Sequence, residues 1–120
     1  MKTSKISIAF KNAFAGLVYF FRHERNGRIQ LIIGLLSIIL SILLHISKYE
    51  WIVVLLCTGA VLSAEMSNSA LEKLCNHVHP SFHLQIKIVK DVAAGAVLFI
   101  CIISALIGAL IFIPKILQLL

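Results

Sequence analysis

"VAAGAVLFICIISALIGALIFI", residues Val92–Ile113, carries no charged side chain and is closed by Asp91 on one side and Pro114-Lys115 on the other. As a helix rising about 1.5 Å per residue it measures roughly 33 Å, enough to cross a hydrocarbon core of roughly 30 Å. Working outward, Ile29–Ile46 has no Lys, Arg, Asp or Glu, and Gln30, two serines and His45 are its only polar members. A third apolar run starts at Trp51 and lasts to about Ala64, then turns polar while keeping helical character. The chain as a whole is 60% hydrophobic and 13% charged, with a mean hydropathy of +1.01. A soluble domain of 120 residues with that composition exposes too much apolar surface to stay in solution. These runs predict an all-α integral membrane protein of one domain over 1–120. Its spans are expected at 28–47, at 51–76 with a cytoplasmic extension, and at 83–117 with another.

Basic residues orient it. Lys2, Lys5, Lys11, Arg22, Arg25 and Arg28 precede the first span, and Lys73, Lys87 and Lys90 lie between the second and third. Only Lys48 and Lys115 fall on the other side, so nine of eleven positives share one face of the membrane. The positive-inside rule makes that face cytoplasmic, with the N-terminus inside and the C-terminus outside. In residues 1–25, Ile6, Phe10, Phe14, Leu17 and Phe20 form an apolar stripe opposite Lys5, Asn12, Gly16 and His23. That pattern predicts an amphipathic helix lying on the cytoplasmic leaflet. Lys11 interrupts the apolar stretch and no small-x-small site follows, which argues against a cleaved leader. Pro80 is expected to break the helix before the third span, and Glu50 to sit solvated in a tight outer turn near Tyr49. Two of the three cysteines, Cys57 and Cys101, fall inside spans and Cys75 in the cytosolic stretch, so no disulfide is expected. Cys75, His77, His79 and His83 match no standard zinc spacing and read as interfacial side chains.

With so few acids, placement is informative. Glu24, Glu65, Glu72 and Asp91 all map to the cytoplasmic ends of the helices, level with Arg25, Arg28, Lys87 and Lys90. Seven residues separate Glu65 from Glu72, nearly two turns, so the two point the same way with Asn68 between them. Glu65 lies at or just inside the inner interface, where an ionisable group costs free energy unless it is paired or functional. Carboxylates from two helices can hold Mg²⁺, which keeps water and phosphate in the rest of its shell. A lysine offsets phosphate charge, and a carboxylate at membrane depth can take a proton from a lipid alcohol. Metal, cation, base and positioning are the parts phosphoryl transfer needs. No G-x-x-x-x-G-K loop is present, so a kinase here must be built from membrane helices.

Three stretches resemble the small bacterial diacylglycerol kinase and undecaprenol kinase family of integral membrane lipid kinases. They are "AFAGLVYFFRHERNGRIQL" (Ala13–Leu31), with E-R-N-x-R-I, and "EMSNSALEKL" (Glu65–Leu74), matching E-x-x-N-[S/T]-A-[I/L]-E. The third is "FHLQIKIVKDVAAGAVL" (Phe82–Leu98), matching H-x(6)-K-D. The spacings between these blocks match the family's without gaps, so the likeness covers nearly the whole chain. It implies a surface helix plus three spans in a homotrimer of the bacterial inner membrane, using ATP and Mg²⁺ on a lipid alcohol. No nucleic-acid partner is expected. It further implies Glu65 as general base and Glu24 and Glu72 as ligands of the metal of Mg-ATP, with Asn68 between base and metal. Lys90 and Asp91 would contact the nucleotide, with Ser81, Phe82 and His83 nearby, and Lys5 and Asn12 would contact it from the surface helix. Asn76 stands where the family often has Asp, which removes a possible anion. "ERNGRIQ" and "KDVAAGAVL" stand nearer the undecaprenol branch, although diacylglycerol offers the same primary hydroxyl. The rival reading is a non-enzymatic membrane protein, such as a transporter subunit or assembly partner. Against transport stands the gathering of acids at the rim rather than at the midplane.

Overall fold

The computed structural model describes residues 3–120; Met1 and Lys2, which fall in the expected surface helix, lie outside the described residues. Four helices account for nearly all of it: α1 (Thr3–His23), α2 (Arg25–Leu43), α3 (Lys48–Val78) and α4 (Leu84–Leu119). The last three are long and apolar enough to cross a membrane. α3 is the centre, with α4 packed along one side and α2 along another, while α1 packs mainly on α2. The result is a slab of 54 × 46 × 21 Å. By length α3 measures roughly 46 Å and α4 roughly 54 Å, so both are longer than a hydrocarbon core.

Each boundary has a local cause. α1 and α2 are separated by one residue, Glu24, in an extended conformation (φ −105°, ψ 114°). Neither Gly nor Pro makes this break. Arg28 makes it, because its guanidinium Nη1 donates to the carbonyls of Arg22 (2.7 Å) and Phe21 (3.3 Å) and so caps the end of α1. The Phe20 ring, only 4% exposed, then fills the space over Gly27. A Cβ at position 27 would lie 2.5 Å from that ring, so the corner requires glycine.

α2 ends at Leu43, before the apolar run in the sequence does. His45 takes a left-handed conformation (φ 51°), and the Ile46 N–H donates back to the Ser41 carbonyl at 3.4 Å. Ser47 then begins α3 with a capping box: its hydroxyl accepts from the Glu50 N–H (3.2 Å) and its own N–H donates to Glu50 Oε1 (2.9 Å). Glu50 also pairs with Lys115 of α4 at 3.2 Å. The expectation of a solvated Glu50 is thus corrected: the carboxylate serves as helix cap and as the tie to α4. Hydrogen bonding to the Ser47 backbone, with help from Lys115, holds its pKa below the usual carboxylate range. At the other end α3 stops at Val78, two residues before Pro80, and His83 caps α4 by accepting from the Gln85 N–H at 3.2 Å.

Close packing of α2 on α3 rests on Gly34, where a Cβ would come within 2.7 Å of Thr58 Cγ2. Hydroxyls in this seam are satisfied on their own helices: Ser37 donates to Ile33 O, Ser41 to Ser37 O and Thr58 to Val54 O. That arrangement spares the apolar interior the cost of unpaired polar groups.

Candidate functional site

A groove lies between α2, α3 and α4. Asn26, Ile29 and Gln30 form one wall, Glu65 and Asn68 another, and Ala94, Val97, Leu98 and Cys101 the third. Its volume is about 420 Å³. Glu65 is 6% exposed, the one buried carboxylate among the described residues. It faces the amides of Gln30 and Asn68 at the level where α3 passes from apolar to polar sequence. A second, largely apolar cavity of about 350 Å³ continues deeper between the same helices, and Gln30 and Cys101 line both. The Gln30 amide donates to Cys101 Sγ at 3.6 Å across the junction.

Beyond the groove, toward the α1 end, lies a polar layer. Glu24, carried on the α1–α2 corner, pairs with Lys73 of α3 at 3.1 Å. The Lys73 ammonium also sits 5.4 Å above the Tyr19 ring, which stacks on His23 at 4.2 Å. The hydrogen bond to Glu24 raises the Lys73 pKa above the usual lysine range, with Tyr19 adding to it. Glu24 is also within electrostatic reach of Glu65. Glu72 is exposed and, among the described residues, enters no ion pair. On α4, Lys90 donates to Asn76 Oδ1 of α3 at 2.7 Å, while Lys87 pairs with Asp91 one turn on at 2.6 Å. Asn76, lacking the charge of the resembled pattern, thus still binds the lysine as an acceptor.

Most of the expected site residues share one end of the bundle, but not one cavity. Glu65 and Asn68 line the groove; Glu24, Glu72, Lys90 and Asp91 do not line it and lie toward the polar ends of the same helices, Glu24 on Lys73, Lys90 on Asn76 and Asp91 on Lys87. Ser81, Phe82 and His83 lie exposed in the connection before α4, where the Ser81 carbonyl oxygen lies 2.9 Å from His79 Nδ1. Lys5 and Asn12 are exposed on α1, and helix rise puts them roughly 28 and 18 Å from Glu24. Within one chain they are not brought to the groove.

Three participants escaped the sequence reading. Asn26 gave no signal. Gln30 gave one, as the single amide in an apolar run, because polar groups at membrane depth are rarely idle. Lys73 read as an ordinary wet helix end, and its partner lies 49 positions away in the chain.

The donor set suits Mg²⁺, which needs only one or two protein carboxylates. Glu24, paired with Lys73, and Glu72, the chain neighbour of that lysine, are the two carboxylates of this end that could hold it. Among the described residues no group of three or more His, Cys, Asp or Glu side chains forms a closed metal cage.

Residues 11–112 match the family profile described as prokaryotic diacylglycerol kinase. A diacylglycerol kinase of Synechocystis sp. is 36% identical over 113 residues, covering 93% of this chain and 65% of that protein. An undecaprenol kinase of Bacillus subtilis is 35% identical over 107 residues, covering 89% of this chain and 87% of that protein. The chain therefore spans about two thirds of the length of the first relative and most of the second.

Proposed function

The chain belongs to the prokaryotic diacylglycerol kinase family, and from that premise we propose that it is a membrane lipid kinase. It transfers the γ-phosphoryl group of ATP to the hydroxyl of a lipid alcohol, undecaprenol or diacylglycerol, at the cytoplasmic face of a bacterial membrane. The observation that carries this reading is Glu65, a buried carboxylate facing an open groove between three apolar helices. Such a group is costly to keep without a task.

In the proposed reaction the lipid hydroxyl enters the groove with its tail in the apolar zone. The Glu65 carboxylate accepts the hydroxyl proton as the lipid oxygen attacks the γ-phosphorus. The bond from that phosphorus to the bridging oxygen breaks, ADP leaves with the electron pair, and Glu65 later releases its proton to water. Asn68, one turn along α3, and Gln30 orient the carboxylate and the incoming hydroxyl by hydrogen bonding. Glu24 and Glu72 hold Mg²⁺, which when bound neutralises phosphate charge. Lys90 and Asp91 contact the nucleotide, with Ser81, Phe82 and His83 at the edge of the same mouth.

The remaining parts concern assembly. α1 lies on the cytoplasmic leaflet, with the N-terminus inside, in keeping with nine of eleven basic residues on that side. Three copies form the working unit. The apolar faces of α2, α3 and α4 are mostly uncovered within one chain, and Lys5 and Asn12 stand too far along α1 to serve their own site. In a trimer they can reach a neighbour's.

The test is direct. The purified chain in lipid nanodiscs should transfer ³²P from γ-labelled ATP to added lipid alcohol in the presence of Mg²⁺, and competing the two lipids in one vessel ranks them. An absence of transfer to either lipid, with both dispersed at saturating concentration, refutes the assignment.

A further inference from the structure

Lys73 has no part in the reaction as set out above, yet it holds one of the two proposed metal carboxylates. Its ammonium lies 3.1 Å from Glu24 Oε1 and 5.4 Å from the centre of the Tyr19 ring. Tyr19 is itself held by stacking on His23. The corner that carries Glu24 is fixed from below by Phe20 on Gly27 and from the side by Arg28. The corner of backbone that carries Glu24 therefore keeps its shape with or without Lys73, and what the lysine brings to the carboxylate itself is a positive charge.

We propose that Lys73 is a resident counter-ion on Glu24, which a divalent cation must displace before the site can load. This rests on the assignment of Glu24 to the metal. A carboxylate that already accepts from an ammonium has lost part of the negative potential that attracts a divalent cation, and the ammonium repels the newcomer at close range. On displacement Lys73 keeps a resting place over the Tyr19 ring, where cation–π attraction holds it near the mouth. The device keeps metal out of a nucleotide-free site and favours loading by metal and phosphate together, since the phosphates give Lys73 a new anion as it gives up the old one.

The experiment measures Mn²⁺ binding by electron paramagnetic resonance, using the full chain in nanodiscs of zwitterionic lipid without nucleotide. Lys73→Gln should tighten Mn²⁺ binding by roughly two- to five-fold, the range an exposed ion pair commands. Lys73→Arg keeps the charge and the reach and should bind as the wild type does. In a Glu24→Gln background the Lys73→Gln change should have no effect, because the pair is already gone. Unchanged or weaker Mn²⁺ binding in Lys73→Gln, with wild-type binding still dependent on Glu24, overturns this inference alone. Lys73→Arg behaving like Lys73→Gln also overturns it. Wild-type Mn²⁺ binding that ignores Glu24→Gln overturns the metal assignment and this inference with it.

Discussion

Gly27→Ala separates two opposing effects of known size. Alanine in place of glycine favours a helix by up to about 1 kcal/mol, and less near the helix start, where position 27 lies. Against that, the new Cβ meets Phe20 Cε2 and Cζ at 2.5 Å and Cδ2 at 3.1 Å. Carbon atoms settle at roughly 3.5–4.0 Å, so the ring must retreat by about 1 Å. Phe20 is 4% exposed and its neighbour Phe21 stands edge-on at 5.1 Å, so it has little room to move. Overpacking of this kind costs about 1–3 kcal/mol, and the net effect is a corner weakened by about 1–2 kcal/mol. The Glu24 N–H, which donates to the Phe20 carbonyl at 2.9 Å, reports it. Its hydrogen-exchange protection should fall by roughly 5–30-fold, the factor that such an energy commands. The Mg²⁺ concentration needed for half-maximal turnover should rise with it, because Glu24 rides on the corner. Trimming the ring with Phe20→Leu in the same chain should restore part of the protection. Protection equal to or above wild type in Gly27→Ala would refute the reasoning, since helix propensity would then have won and the contact would be slack.

Three more predictions follow from the site and its surroundings. Glu65→Gln should lower turnover by at least about 100-fold while ATP binding is retained, as expected for loss of a general base; turnover within ten-fold of wild type in labelled-phosphate transfer would remove Glu65 from that role. Asn76→Asp turns the 2.7 Å hydrogen bond to Lys90 into an ion pair in water, so turnover should change less than about five-fold, and a larger change in steady-state kinetics would show that charge at 76 matters to the chemistry. The folded state lowers the Glu50 pKa below its ordinary 4.5, so its contribution to stability is full above that value and is lost as pH falls through the lower folded one. Thermal unfolding in detergent should accordingly show the difference between wild type and Glu50→Gln shrinking below pH 4.5, and a difference that is constant with pH would contradict this.

The sequence made some of this legible and hid the rest for physical reasons. Three spans could be read because hydrophobicity over some twenty residues is a local sum, and Val92–Ile113 leaves no alternative to a helix in lipid. Glu65 could be singled out because an acid after an apolar run is conspicuous in one dimension. The break at Glu24 could not, since no glycine or proline marks it; it depends on Arg28 reaching back six and seven residues to the end of α1. The early end of α2 depends on His45 adopting a conformation that residue types other than glycine and asparagine seldom signal. Glu50 and Lys115 are 65 positions apart and Glu24 and Lys73 are 49 apart, so neither pair exists until α3 has gathered its neighbours. The groove belongs to the same class, because its walls come from three helices and no single helix contains its shape.

The two ends of α2 are fastened very differently. At the His45 turn it is tied to α3 by backbone bonds and by a capped start, while at the other end the corner at Glu24 is fixed to α1 by Arg28 and Phe20 and reaches α3 through the ion pair with Lys73. Such an arm, roughly 28 Å long, works as a lever: a swing of about 8° at the fastened end carries the loose end about 4 Å. A displacement of that size is comparable to the thickness of a hydrocarbon chain, so widening the groove by that much would take only a small rotation about the His45 turn and no unfolding of α2.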